Sequence, residues 1–131
     1  MTYLVDTDWI INGLKGQERA LTTLSRLAPQ GVAVSIVTAA EVYEAAFNTT
    51  NPQAHLQNSR GFLSPFRILP LTDPIAEIFA ETRAFLRRRG QPLPDFDLLI
   101  AATALHHKLT LITSNLRHYE RIPDLKTYRI R

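Results

Sequence analysis

The chain has 131 residues, enough for one domain with a buried core, and we treat residues 1–131 as that domain. It has no cysteine, which excludes disulfides and thiolate metal sites. Fifteen basic residues, of which twelve are arginines, outweigh twelve acids, so the net charge is +3. Because arginine suits phosphate groups, this excess modestly supports a nucleic-acid partner.

Apolar β-branched runs alternate along the chain with segments whose apolar residues recur at helical spacing. In chain order, the sequence predicts a strand at 2–5, helices at 9–14 and 17–27, a strand at 32–37, helices at 38–47 and 53–63, a strand at 67–71, helices at 75–89 and 95–107, a strand at 109–113, a helix at 116–121 and a strand at 127–130. This alternation predicts an α/β fold with a parallel sheet covered on both faces.

No apolar run approaches the roughly 20 residues that span a bilayer, and the N-terminus has no leader pattern. We therefore expect a cytoplasmic protein with no membrane partner.

Polar side chains fall at the junctions of the predicted elements. Asp6 ends the first strand, with Asp8 two residues on, and Glu41 lies one turn into the helix after the second strand. Asp97 opens the helix that precedes the fourth strand, and Asn115 follows that strand. Since ligands bind outside the carboxyl ends of parallel strands, we expect these side chains to meet at that edge. Clustered charges beside a core are costly unless something pairs with them, so the cluster predicts a bound cation.

Carboxylate and amide oxygens without cysteine suit hard cations, Mg²⁺ or Mn²⁺. Such ions lower the pKa of a bound water and position a phosphate for attack. On a basic protein, this chemistry favours hydrolysis of a phosphodiester.

Each junction residue also has a purely structural interpretation. Glu41 could be the return partner of Thr38 in a capping box. Asp95 or Asp97 could only cap a helix and answer its dipole, and Asn115 could only occupy a turn.

Four segments resemble, in order, the motifs of PIN-domain ribonucleases of the VapC toxin type. They are Leu4-Val5-Asp6-Thr7-Asp8, Thr38-Ala39-Ala40-Glu41-Val42-Tyr43, Asp97-Leu98-Leu99-Ile100-Ala101-Ala102-Thr103-Ala104-Leu105 and Leu111-Ile112-Thr113-Ser114-Asn115. The resemblance covers essentially the whole chain. It implies an α/β/α sandwich with a mainly parallel sheet and a Mg²⁺- or Mn²⁺-dependent endoribonuclease. It also implies an RNA substrate, with transfer RNA among the candidates, a homodimer and a cognate antitoxin protein.

The resemblance also implies a ligand set. By position, Asp6, Glu41 and Asp97 match the family's metal-binding catalytic acids. The fourth motif often carries aspartate and here offers Asn115, which donates a neutral oxygen, so Asp8 and Asp95 become candidate substitutes as ligands.

Two basic groups are candidates for contacting the RNA backbone. We favour Arg117 with His118, because this pair follows Asn115 directly. The alternative is the triplet 87–89, whose arginines equally suit the last turn of a helix.

An antitoxin would bring a basic side chain to the acids and an apolar helix to the groove beside 9–14 and 42–47. In that setting Trp9 is either a core residue or an interface anchor.

Two other functions remain open at this stage. Asp6-Thr7-Asp8 resembles the nucleophile motif of haloacid-dehalogenase phosphatases. The chemistry of those enzymes also requires a lysine in the middle of the chain. The only lysines are Lys15, Lys108 and Lys126. The other function is a catalytically silent RNA-binding or regulatory PIN domain, which Asn115 in place of aspartate would favour.

Overall fold

The computed structural model describes residues 1–129. Its strands are β1 (Tyr3–Val5), β2 (Val32–Ser35), β3 (Arg67–Leu69) and β4 (Thr110–Ile112). Its helices are α1 (Thr7–Leu14), α2 (Glu18–Leu27), α3 (Ile36–Phe47), α4 (Pro52–Leu63), α5 (Asp73–Arg88), α6 (Asp95–His107) and α7 (Leu116–Tyr119).

The four strands form one parallel sheet in the order β3-β2-β1-β4. Leu4 of β1 lies opposite Ala33 of β2 and Leu111 of β4. The pairing of β1 with β4 continues one residue further, because the Asp6 amide donates to the Ile112 carbonyl at 2.9 Å. Asp6 is therefore fixed at the carboxyl edge of the sheet by its own backbone.

Helices cover both faces of the sheet, as the predicted α/β/α sandwich requires. Successive strand residues point to opposite faces. Leu4 and Leu111 accordingly pack with α5 and α6 in one core, while Val5 and Ile112 pack with α1, α2 and α4 in the other. The predicted fold class is confirmed. Within residues 1–129, no helix is long and apolar enough to cross a membrane.

The predicted boundary between the second strand and the next helix is wrong by two residues. The strand ends at Ser35, whose hydroxyl caps α3 by accepting a hydrogen bond from the Val37 amide at 3.0 Å. Ile36 and Val37 are β-branched and read as strand, but a serine cap decides the local conformation. Thr38 is therefore an interior helix residue, and its predicted capping box with Glu41 does not form.

The predicted last strand at 127–130 is reduced to one bridge. Thr127 pairs in parallel with Leu111. The Leu111 amide donates to the Lys126 carbonyl, and the Leu111 carbonyl accepts from the Tyr128 amide, both at 2.8 Å. Ile130, the end of that predicted strand, lies outside the described residues. The tail thus closes the outer edge of β4 along a short stretch.

Candidate active site

Asp6 is a buried carboxylate held at the junction of β1 and α1. Its Oδ1 accepts a hydrogen bond from the Thr7 amide at 2.8 Å and so caps α1. Its Oδ2 accepts one from the Thr113 hydroxyl, also at 2.8 Å. Only 6% of the residue is exposed. The Asp6 side chain is therefore oriented by the residue that begins α1 and by the residue that follows β4.

The surroundings of Asp6 disfavour its charge. Burial, followed by the nearby charge of Asp8, raises the pKa of Asp6 to about 7. The charge of Asp97 adds to the rise, while the hydrogen bonds from Thr113 and Thr7 oppose it. Two hydrogen bonds do not compensate for burial beside two other carboxylates. A cation at this point would relieve the repulsion.

Asp97 and Asp8 complete a group of three acids. Asp97, half-buried in the first turn of α6, has a raised pKa, because burial and the charge of Asp8 outweigh the effect of His118. Asp8 lies in the first turn of α1 and accepts hydrogen bonds from the amides of Trp9, at 2.8 Å, and Ser114, at 3.0 Å. The loop after β4 is thus tied to α1 through a carboxylate.

Glu41 joins the site through a chain of hydroxyl groups. The Thr7 hydroxyl lies 2.7 Å from Glu41 Oε1 and 3.0 Å from the Thr38 hydroxyl. A hydroxyl has one proton and a carboxylate only accepts, so Thr7 donates to Glu41 and accepts from Thr38. Thr7 follows Asp6 directly, and this chain therefore couples the second motif to the first. The capping interpretation of Glu41 is wrong.

Asn115 and His118 face the acids from the loop and helix that follow β4. The Asn115 side-chain nitrogen lies 2.8 Å from Nδ1 of His118, and that ring nitrogen lies 3.8 Å from Asp97 Oδ2. Donation from the Asn115 amide to His118 leaves the amide oxygen of Asn115 free for another partner. His118 is consequently directed at the acidic cluster.

The Tyr119 hydroxyl is a buried polar group next to the acids. It has no hydrogen-bond partner among residues 1–129. Burial and the charges of Asp6 and Asp97 raise its pKa, so the phenol stays protonated. A protonated hydroxyl beside two carboxylates stands ready to donate to either.

The structure does not bring Asp95 into this group. Its carboxylate pairs with Arg83 at 2.8 Å, and its side chain is exposed. Residues two apart on a helix point in different directions, so Asp95 and Asp97 cannot both face the sheet edge. Of the two candidate substitutes, only Asp8 lies with Asp6 and Asp97.

The donor set fits a hard cation. Within the described residues, no three His, Cys, Asp or Glu side chains stand close enough together to hold a metal ion by themselves. Mg²⁺ differs from zinc in needing only one or two carboxylates, because it keeps several waters. Asp6 and Asp97, with the free oxygen of Asn115, suit that mode of binding.

Sequence reasoning missed three side chains that organise the site. Thr7 and Thr113 lie inside the motifs but carry no charge, and Tyr119 lies in a helix with no motif of its own. A hydroxyl immediately after a buried strand was the available signal for Thr113. Tyr119 had none, because its place depends on the packing of α7.

Comparisons with known proteins agree with this geometry. The family model of the PIN domain matches residues 3–125. The chain is 33% identical over 129 residues to "Ribonuclease VapC2" of Haemophilus influenzae, covering 97% of this chain and 96% of that protein. It is 28% identical over 126 residues to "tRNA(fMet)-specific endonuclease VapC" of Salmonella typhimurium, covering 96% of each.

A solved structure shows the same fold. VapBC2 from Rickettsia felis, crystallised with a DNA fragment from its promoter, contains a chain that superposes with a TM-score of 0.93. The two chains are 25% identical, and the match covers 100% of each.

The raised pKa of Asp6 predicts how stability depends on pH in the presence of a chelator. The folded chain binds this proton more tightly than the unfolded chain, so the contribution is full below about pH 4 and is lost as the pH rises to about 7. At roughly 1.4 kcal/mol per pKa unit, the loss is on the order of 4 kcal/mol at most. Asp6→Asn should flatten this decline in urea unfolding measured across that range.

Asp124→Asn is the matched control, because Asp124 is exposed and its left-handed φ of 67° also suits asparagine. An unchanged slope in Asp6→Asn would show that Asp6 does not carry the effect.

Proposed function

Because this chain belongs to the PIN-domain family of VapC ribonucleases, we propose that it is an endoribonuclease toxin that hydrolyses RNA with Mg²⁺ or Mn²⁺ bound at its acidic edge. Family membership removes the phosphatase alternative. The observation that carries the proposal is the group of Asp6, Asp8 and Asp97. No lysine or arginine among residues 1–129 forms an ion pair with any of these acids. Such a group needs a cation from outside the chain.

The residues divide the work between holding the ion and moving protons. Asp6, Asp97 and Asn115 would hold the ion, which when bound lowers the pKa of a water and offsets charge on the phosphate. Thr7 fixes Glu41 through Oε1 and leaves Oε2 free to accept a proton from the attacking water. Tyr119 lies beside the acids as a neutral donor.

Arg117 would contact the RNA backbone in a groove between α5 and the segment that begins with α7. Arg117, Arg89 and Arg121 line this shallow groove of about 530 Å³. Arg89, from the triplet at the end of α5, stacks over the Phe85 ring at 5.0 Å. The two basic groups that the sequence offered as alternatives therefore face the same space, whereas His118 turns toward Asp97.

A protein partner is the remaining part of the proposal. The related ribonucleases are named VapC and the solved relative VapBC2, which names a second component. An apolar groove of about 410 Å³ lies between α1, α3 and α4, lined by Ile11, Leu14 and Val42 among others. This is the groove that the sequence assigns to an antitoxin helix. Trp9 is 5% exposed and belongs to the core, so it is not the anchor. The homodimer stays a prediction.

Removing a metal-binding acid should abolish cleavage and metal binding together. Asp97→Asn should leave a folded protein that does not cut single-stranded RNA and whose melting temperature no longer rises with Mg²⁺ or Mn²⁺. Thr7→Val should lower kcat about 10- to 100-fold, since it only releases Glu41. Asp124→Asn should behave as wild type in both assays. Chelator-resistant cleavage would contradict the proposal, and RNA binding without any cleavage by wild type would establish the silent PIN domain.

Neutralising Arg117 should weaken binding of RNA and reduce the dependence of log Kd on log salt by about one charge. Asp97→Asn protein, which does not consume its ligand, is the background for this measurement. Arg60→Gln is the control, because Arg60 belongs to α4 and its guanidinium lies over the ring of Tyr43 on α3. An unchanged salt slope in Arg117→Gln would remove this contact.

Expression of the chain alone should arrest growth, and co-expression with the neighbouring open reading frame should restore growth and yield a complex. Asn58→Arg would place a long charged side chain in the apolar groove from an exposed position on α4, and it should prevent retention of the partner while RNA cleavage persists. Unimpaired growth with wild type would count against the toxin. A complex that survives Asn58→Arg would count against the groove.

A further inference from the structure

A polar cavity of about 280 Å³ lies against the acidic cluster on the side of α1 and α2. Thr113 and Ser114, from the loop after β4, are among the residues that line it. These residues also hydrogen-bond the acids, Thr113 to Asp6 and Ser114 to Asp8. A group bound in this cavity would therefore be the direct neighbour of a phosphate at the acids.

The cavity presents three polar side chains with no structural task. Asn12 and Gln17 make no side-chain hydrogen bond among residues 1–129, and Arg19 forms no ion pair with any of them. Gln17 occupies the position that begins α2, where a serine or aspartate would stabilise the helix, yet its side chain caps nothing. Two amides and a guanidinium are thus available to a ligand.

Two aromatic side chains and Leu116 complete the lining of the cavity. Tyr128 is fixed from outside, because its hydroxyl accepts a 2.8 Å hydrogen bond from Arg26 and its ring meets Tyr3 edge-on at 5.7 Å. Trp9 also lines the cavity, while most of its side chain is packed in the core. A rigid aromatic ring in the wall of a polar cavity favours a flat, hydrogen-bonding ligand.

We propose that this cavity, the base pocket, binds one unpaired RNA base adjacent to the scissile phosphate. Side-chain amides carry both donors and acceptors and can read the edge of a base, while an aromatic ring stacks on its face. Arg19 binds the phosphate of the same nucleotide. This inference rests on the proposed ribonuclease function and assigns its sequence preference to Asn12 and Gln17.

Trp9 provides a direct test, since it is the only tryptophan of the chain and lines the base pocket. Single-stranded RNA tetranucleotides of each base should change its fluorescence in the presence of a chelator, with one base bound more tightly than the others. Asn12→Ala with Gln17→Ala should weaken binding of that base about 5- to 100-fold and remove the preference. The control is Gln53→Ala with Gln57→Ala, two exposed glutamines on α4.

Cleavage gives the second readout. Mapping of RNA 5′ ends should show a base preference beside the cut for wild type and for the α4 control, and its loss in Asn12→Ala with Gln17→Ala. Wild-type cleavage with an unchanged preference in that variant would overturn the base pocket alone. Fluorescence binding that depends on Asn12 and Gln17, in a protein that never cleaves, would uphold the pocket and overturn the ribonuclease. The base pocket would also be overturned if binding of the antitoxin quenched the fluorescence of Trp9 and binding of no tetranucleotide did so.

Discussion

The structure depends on keeping the Asp6 carboxylate in the interior, next to a parallel pair of strands, with no lysine or arginine among residues 1–129 paired to it. Its backbone amide extends the pairing of β1 with β4, and its two oxygens accept hydrogen bonds from the residue that begins α1 and the residue that follows β4. One side chain thus joins sheet, helix and loop. Its charge is disfavoured there, and a metal ion would make the same position favourable. The charged form of Asp6 is therefore unfavourable by itself, and a bound cation would stabilise it.

Neutral hydroxyl groups organise the acids without changing their net charge. Thr113 orients Asp6 through a hydrogen bond, and Thr7, the first residue of α1, orients Glu41 in the same way. Lysine or arginine in these places would neutralise the cluster and occupy the space of the ion. Hydroxyl groups orient the carboxylates without adding a positive charge to the cluster. This explains why threonines hold the acids.

Sequence reasoning recovered the elements and the edge at which they meet, since hydrophobic periods and the parallel arrangement determine both. It failed where one local contact outweighs a pattern. Ser35 starts α3 although the β-branched Ile36 and Val37 favour a strand. Arg83 binds Asp95 although that acid lies only two residues before Asp97. The Tyr119 hydroxyl could not be foreseen, because only tertiary packing brings α7 under the acids. Spacing along the chain reports neighbours in a helix or strand, but not which of several neighbours a side chain meets.

The partners of the first acids come from the far end of the chain. Thr113 lies 107 residues from Asp6, and Ser114 lies 106 residues from Asp8. During translation a nascent chain carries these acids from the beginning but lacks both of their partners until β4 has left the ribosome. Contacts between such distant residues also form late in folding, because closing the long loop precedes any gain from the contact. The acidic site of a nascent chain is consequently not assembled before the loop after β4 has emerged from the ribosome.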